Sequence, residues 1–289
     1  KDGPLSAKLD NALAVRDPAY MPVKELRLVY RYRGQTKHLR VSENALLMVP
    51  EDGGGSVAAV PGYELAADGR GAVEVQAWAP GTFEVTTASG KTLKAAVAEV
   101  PAPVELKGPW TLNFPPNWGA PASVTLDRLA SWTEHADEGV KYFSGTATYV
   151  KAFEWAAKKQ KSERYVLDLG DLKNLAEVEL NGNRLGILWK PPFRVDVTDA
   201  LRQGENALTV KVTNLWPNRL IGDEQKADDR EWAGDHVKAI PQWVQEGKPS
   251  PTGRYTFTVW HHWKAEDDPL PSGLFGPVVI RTVVRAAVK

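Results

Sequence analysis

The stretch Asn214-Leu215-Trp216-Pro217-Asn218-Arg219-Leu220-Ile221-Gly222-Asp223 gathers a flat indole, an amide, a guanidinium and a carboxylate into a short segment just after an expected strand. These are groups that recognise sugars. A ring face packs on the apolar side of a pyranose, and planar polar groups bond two neighbouring hydroxyls. Trp216 or Trp189 would supply the stacking face, with Asn218, Arg219 and Asp223 as hydroxyl partners. The competing reading is a loop packed internally by its own Arg219 to Asp223 ion pair.

Other chemistries find less support. Glycosidases need two carboxylates at a set separation, one with its pKa raised by its surroundings. The clusters Glu134 to Glu138, Asp223-Glu224, Asp228-Asp229 and Glu266-Asp267-Asp268 could contribute, but all lie in expected loops, where charges are ordinarily solvated. The same groups could hold Ca²⁺, which takes several oxygen ligands from flexible loops, although no EF-hand spacing is present. His261 and His262 are adjacent in an expected strand and so face opposite sides, a poor geometry for one metal. There is no G-x-S-x-G elbow, no P-loop and no G-x-G-x-x-G opening a helix. With no Cys, thiol nucleophiles, thiolate metal sites and disulfides are excluded, while the compartment stays open.

The elements that must position these groups read as β throughout. Val23 to Arg33 alternates, and short strands are expected near 45–49, 72–78, 82–87 and 92–99, separated by turns such as Glu51 to Gly55 and Ser89-Gly90. Val100-Pro101-Ala102-Pro103 is the expected linker, because two prolines in four residues stiffen an extended connection. Beyond it, strands are expected at 146–153, 165–169, 176–180, 193–197, 206–212, 255–260 and 277–284. Asn181-Gly182 fits a type I′ hairpin, which needs positive φ at both positions. A helical turn is expected at 198–202, and residues 228–246 suggest a longer, partly helical insertion. The fold class is therefore all-β, with two β-sandwich domains at 1–103 and 104–289.

Length and charge agree with this. The 289 residues exceed one small module, and 36 basic against 36 acidic side chains balance, with 12 against 12 in residues 1–103. Neither part is a nucleic-acid binder by charge. No apolar run approaches the roughly 20 residues that cross a bilayer, and the first residues have no signal-peptide core. The start at Lys1 suggests processing or excision from something longer. Ten of the eleven Trp lie after residue 104, and most are expected to build the core.

Several motifs in order carry a family resemblance. Leu106 to Trp110, Phe114-Pro115, Trp118 to Pro121, Ser131-Trp132-Thr133, Tyr142 to Tyr149, Leu180-Asn181-Gly182, Trp189 to Phe193, Asn214 to Asp223 and Pro271 to Leu274 resemble the C-terminal β-sandwich region of glycoside hydrolase family 106 α-L-rhamnosidases. The order Gly-x-Ala-x-Tyr, Leu-Asn-Gly, Asp-Val-Thr, Gly-Glu-Asn is also similar to the galactose-binding-like sandwich of family 2 glycosidases. The resemblance implies a jelly-roll-like second domain whose catalytic acid and base belong to a barrel with no counterpart here, so no catalytic residue is carried over. It also implies that the loops before Gly145 and after Val212 share one end, bringing Glu134, Asp137 and Glu138 near Trp216, Asn218, Arg219 and Asp223. The expected activity is non-catalytic carbohydrate binding to a rhamnose-containing glycan, beside a catalytic barrel, in the periplasm or outside the cell. A domain that only stabilises the barrel and a stand-alone glycosidase using loop carboxylates are the alternatives.

Overall fold

The computed structural model describes residues 5–8, 25–32, 35–42, 46–49, 62–67 and 72–289. Contacts divide the chain into two units, Lys1–Pro61 and Gly62–Lys289. The first contains β1 (Leu5–Lys8), β2 (Glu25–Tyr32), β3 (Gln35–Ser42) and β4 (Leu46–Val49). There β1 pairs with β4 and β2 with β3, both antiparallel. The turn expected at Glu51 to Gly55 lies outside the described residues.

The second unit begins with β5 (Tyr63–Ala67), β6 (Val73–Ala77), β7 (Gly81–Thr86), β8 (Thr92–Val97) and β9 (Val104–Glu105). Next come β10 (Trp110–Asn113), β11 (Ser123–Leu126), a short helix α1 (Glu138–Lys141), β12 (Thr146–Trp155), β13 (Glu163–Asp168), β14 (Asp171–Lys173), β15 (Leu175–Leu180), β16 (Asn183–Leu188), β17 (Arg194–Asp196) and β18 (Gly204–Thr213). Helix α2 (Pro217–Glu224), β19 (Trp232–Ala233), β20 (His236–Val237), α3 (Gln242–Gln245), β21 (Gly273–Gly276) and β22 (Val279–Ala287) complete it. One sheet has the order β11-β10-β12-β18-β15-β16, and the other β17-β13-β22-β6-β5 with β9 also on β22.

Alternation explains the layers. In β12, β15 and β18 the residues Ala147, Tyr149, Ala176, Val178, Leu180, Leu208, Val210 and Val212 are buried, while their neighbours in sequence are more exposed. The register keeps this face continuous, with Ala147 and Ala176 both opposite Val212, and Tyr149 and Val178 both opposite Val210. Tyr165, Leu167 and Ile280 of the second sheet meet it in one core. The ring of Trp155 crosses the layers edge-on to Tyr165, at 5.3 Å between centroids. The Asn181-Gly182 turn has φ of 53° and 82°, as the hairpin requires.

The division at Pro61/Gly62 differs from the boundary expected after Pro103. The reason is the last strand. One edge of β22 pairs with β13, while its other edge pairs first with β9 and then with β6, Val284 lying opposite Ala77. Val75, Ala77, Ala95 and Val97 accordingly share a small core with Val284 and Ala286. The strand expected at 255–260 is absent: this segment is irregular apart from one bridge between His236 and Trp260.

Candidate functional site

Register places the loops of interest together. Thr146 at the start of β12 faces Thr213 at the end of β18, and Leu175 at the start of β15 faces Thr213 from the other side. Asn113 at the end of β10 faces Thr148. The loop after β10, the loop before Gly145 and the segment after β18 therefore lie at one end of the sheet, as the resemblance implied for the last two.

Amides and hydroxyls tie that end together. Asn214 Oδ1 accepts from Gly145 N at 2.8 Å, and its Nδ2 donates to Phe143 O at 2.8 Å and Ser272 Oγ at 3.0 Å. Asn218 Nδ2 donates to Leu270 O and Ser272 Oγ, both at 2.8 Å, and its Oδ1 accepts from Leu270 N at 2.7 Å. Ser144 Oγ accepts from Arg219 N at 2.9 Å. Beneath them, Tyr149 OH accepts from Trp132 Nε1 at 2.6 Å and Leu274 N at 3.0 Å. Burial pushes the Tyr149 phenol up to about 12 despite those bonds, so it stays neutral.

The segment 217–224, read as a loop from sequence, is helix α2, with Pro217 in its first turn and Asn218, Arg219, Ile221, Gly222 and Asp223 on its buried side. This corrects the sugar-contact reading of three residues. Asn218, Arg219 and Asp223 are only 1%, 4% and 2% exposed, and apart from Arg219 Nε, which is buried with no hydrogen-bond partner among the described residues, their side-chain polar atoms meet protein groups. Asp223 accepts from Tyr255 N at 3.1 Å, Thr256 N at 2.7 Å and Thr256 Oγ1 at 2.5 Å. Arg219 Nη2 donates to Trp118 O at 3.3 Å, Nη1 lies 4.0 Å from Asp223 Oδ1, and the guanidinium sits 4.7 Å from the Tyr255 ring centroid. The competing reading of an internally packed segment describes these three.

Exposed groups sit directly above this scaffold. The Trp118 ring meets Trp216 and Tyr255, each at 5.9 Å and edge-on or tilted. Trp216 is 57% exposed and Tyr255 39%. Trp118 Nε1 donates to Ser144 O at 2.5 Å, so the indole orientation is fixed. The result is an aromatic platform, Trp118, Trp216 and Tyr255, on a rigid polar base with a cation beneath it. Trp118 and Tyr255 were missed as site residues; the signal was the Trp118-Gly119 pair in the first of the converging loops.

Glu138 is exposed at the start of α1, which Asp137 caps by accepting from Val140 N at 3.2 Å. Gly139 packs on the backbone of Gly119, so Glu138 lies beside the segment that carries Trp118. Trp189 follows β16, whose Leu188 faces Ala176, so it leaves from the same end of the sheet. It is 69% exposed, with Lys190 Nζ 5.4 Å from its ring centroid, but makes no ring contact with the platform.

After α2 the chain makes the expected insertion. Glu224 Oε1 accepts from Arg230 Nη2 at 3.0 Å and Arg254 Nη1 at 2.9 Å, and Arg230 Nε also donates to Asp228 Oδ1 at 2.7 Å. Burial opposes ionisation of Glu224 and Asp228, but the hydrogen bonds from these guanidiniums, with Trp232 adding to Asp228, outweigh it. Glu224 is held below its usual range and Asp228 at about 2, the reverse of what a general acid requires. His261 stacks on Trp232 at 3.6 Å and lies outside any strand. Among the described residues, no group of three or more His, Cys, Asp or Glu is placed to hold a metal ion.

Residues 131–249 match the family described as glycosyl hydrolase 2 galactose-binding domain-like. A protein of Formosa agariphila, named provisionally as a beta-glucuronidase, is 48% identical over 206 residues, which is 71% of this chain and 18% of that protein. Among solved structures, a rhamnosidase from Novosphingobium sp. PP1Y aligns over 96% of this chain and 25% of its own, with 24% identity and a TM-score of 0.49. A beta-D-glucuronidase from Dictyoglomus thermophilum aligns over 65% of this chain and 29% of its own, with 16% identity and a TM-score of 0.43. The chain thus spans under a third of each of these relatives. Residues 131–249 are thus similar to a glycosidase-related galactose-binding-like domain.

Proposed function

We propose that this chain is the non-catalytic, carbohydrate-facing region of a longer α-L-rhamnosidase-like glycoside hydrolase acting in the periplasm or outside the cell, and that Trp216 is its stacking face for a rhamnose-containing glycan. The observation that carries the reading is the platform: an indole 57% exposed, braced edge-on by Trp118, at the end of the sandwich where the loops converge. A rigid aromatic face of this kind binds a sugar with little loss of side-chain entropy. The motifs between residues 106 and 274 that resemble the rhamnosidase region support the choice of sugar. Glu138, and Trp189 at the same end of the sheet, would supply further contacts.

Calorimetry with a rhamnose-containing oligosaccharide tests this. Trp216→Ala is expected to weaken binding about tenfold, equivalent to about 1.4 kcal/mol, in a protein whose melting temperature is little changed. A folded wild-type sample that binds nothing at millimolar ligand would count against the reading.

A second reading, a domain that stabilises a catalytic barrel without touching sugar, is favoured by the insertion. Ile240, Val259 and Trp260 are each more than half exposed there. Co-expression with a barrel-bearing segment should then raise the melting temperature, and an unchanged value would sink this alternative.

A further inference from the structure

At the opposite end of the sandwich lies a cavity of about 550 Å³ that the aromatic platform does not touch. Its walls are the segment before and at the start of β13, the turn after β17, the start of β16 and Arg285 near the end of β22. The walls are fixed to one another. Arg285 Nη2 donates to Lys161 O at 2.6 Å and Arg285 N to Ser162 O at 2.8 Å, while Lys159 Nζ reaches across to Thr198 O at 2.5 Å.

The lining is polar, with three cations, Lys161, Arg164 and Arg285, and three carboxylates, Glu163, Asp196 and Asp199, of which Asp196 and Glu163 accept hydrogen bonds from the protein. Of the carboxylates, Asp196 uses both oxygens, Oδ2 with Arg164 Nη1 at 3.2 Å and Oδ1 with Thr198 N at 2.8 Å. Glu163 Oε2 accepts from Tyr165 OH at 2.6 Å. On the cationic side, Arg164 has that one ion pair among the described residues, and its side chain is 44% exposed. Lys161 is exposed, and its ammonium meets no carboxylate among the described residues. Spare N–H donors of positive charge therefore face a preformed cleft, with Asp199 and Thr198 at its margin to bond hydroxyls.

We propose that this groove is a second carbohydrate site, for a sugar residue bearing a carboxylate, with Lys161 and Arg164 meeting the carboxylate and Asp199 a neighbouring hydroxyl. A guanidinium and an ammonium together suit a carboxylate, since charge-assisted hydrogen bonds are roughly twice as strong as neutral ones. Mixed polar groups beside them suit the vicinal hydroxyls of a pyranose. The inference rests on the carbohydrate-facing reading above, but uses the other end of the domain.

The test is calorimetry at low salt with the full chain and tetragalacturonate, using its methyl ester as the neutral control. Binding is expected for the acid, at least tenfold weaker for the ester, weakened at least tenfold by Lys161→Gln with Arg164→Gln, and unchanged by Trp216→Ala. Lys161→Gln alone, at an exposed side chain whose ammonium meets no carboxylate among the described residues, serves as the variant that leaves folding intact and should weaken binding in the same direction. No binding to the folded wild type, equal affinity for acid and ester, indifference to the Lys161 and Arg164 changes, or a loss caused by Trp216→Ala would each overturn the proposal. Failure of the platform reading shows separately, as absent binding of the neutral rhamnose oligosaccharide.

Discussion

Replacing Glu224 by Ala should lower the unfolding free energy by about 3–5 kcal/mol, the range for removing one partner of a buried ion pair. The carboxylate is shared by Arg230 and Arg254, whose side chains are 2% and 3% exposed. Without it, Arg254 keeps, among the described residues, only the carbonyls of Lys226 and Ala227, and a buried guanidinium is left with no counter-charge among them. In Asp228→Ala both guanidiniums keep Glu224, so that should be the milder change. Urea unfolding followed by tryptophan fluorescence reads both. A loss below about 1 kcal/mol for Glu224→Ala would place the pair among weak surface ion pairs and refute this account of how the insertion is held. The same network predicts an acid limb. Glu224 and Asp228 have folded pKa values below their ordinary 4.5 and 3.8, so their contribution is complete above those values and is lost as pH falls through the folded ones, which for Asp228 means between 3.8 and about 2. In Glu224→Ala that limb should be shallower.

The sandwich was readable because its strands obey a local rule. Tyr149, Val178 and Val210 alternate with outward residues along their own strands, and the register that aligns them follows from the same period. The segment Tyr255-Thr256-Phe257-Thr258-Val259-Trp260 obeys the same rule and is not a strand, because the Asp223 carboxylate takes the N–H groups of Tyr255 and Thr256 that a ladder would have used. That partner lies about thirty residues away, so nothing local announces it. The expected domain boundary failed to match the contact division for a related reason. Two prolines mark a stiff connection, but whether strands on its two sides pair depends on β22, which comes last in the chain. At the candidate site, residue types pointed to an aromatic and polar segment after β18. They could not tell Trp216, which is exposed, from Asn218, Arg219 and Asp223, which are buried in the scaffold. Helix α2 makes that separation, and Pro217 was its one local signal.

Gly139→Ala is expected to be as damaging as the loss of Glu224, for a different physical reason. A Cβ at position 139 would stand 2.0 Å from the carbonyl oxygen of Gly119 and 2.6 Å from its carbonyl carbon. Those are backbone atoms, so no side chain can rotate aside, and α1 and the loop carrying Trp118 must separate. Overpacking of this kind ordinarily costs about 1–3 kcal/mol, and a backbone obstruction belongs at the upper end or beyond. The change also has a functional arm. Moving the loop withdraws Trp118 from its 5.9 Å contacts with Trp216 and Tyr255 and lengthens its bond to Ser144 O. Rhamnose-oligosaccharide binding should therefore weaken about as much as in Trp216→Ala, under conditions where Gly139→Ala is still mostly folded. Gly182→Ala is the matching control, since a Cβ there meets nothing within 4 Å and the only penalty is its φ of 82°, about 1–2 kcal/mol. If Gly139→Ala lost stability but bound the oligosaccharide as wild type does, the bracing of Trp216 by Trp118 would have no part in recognition.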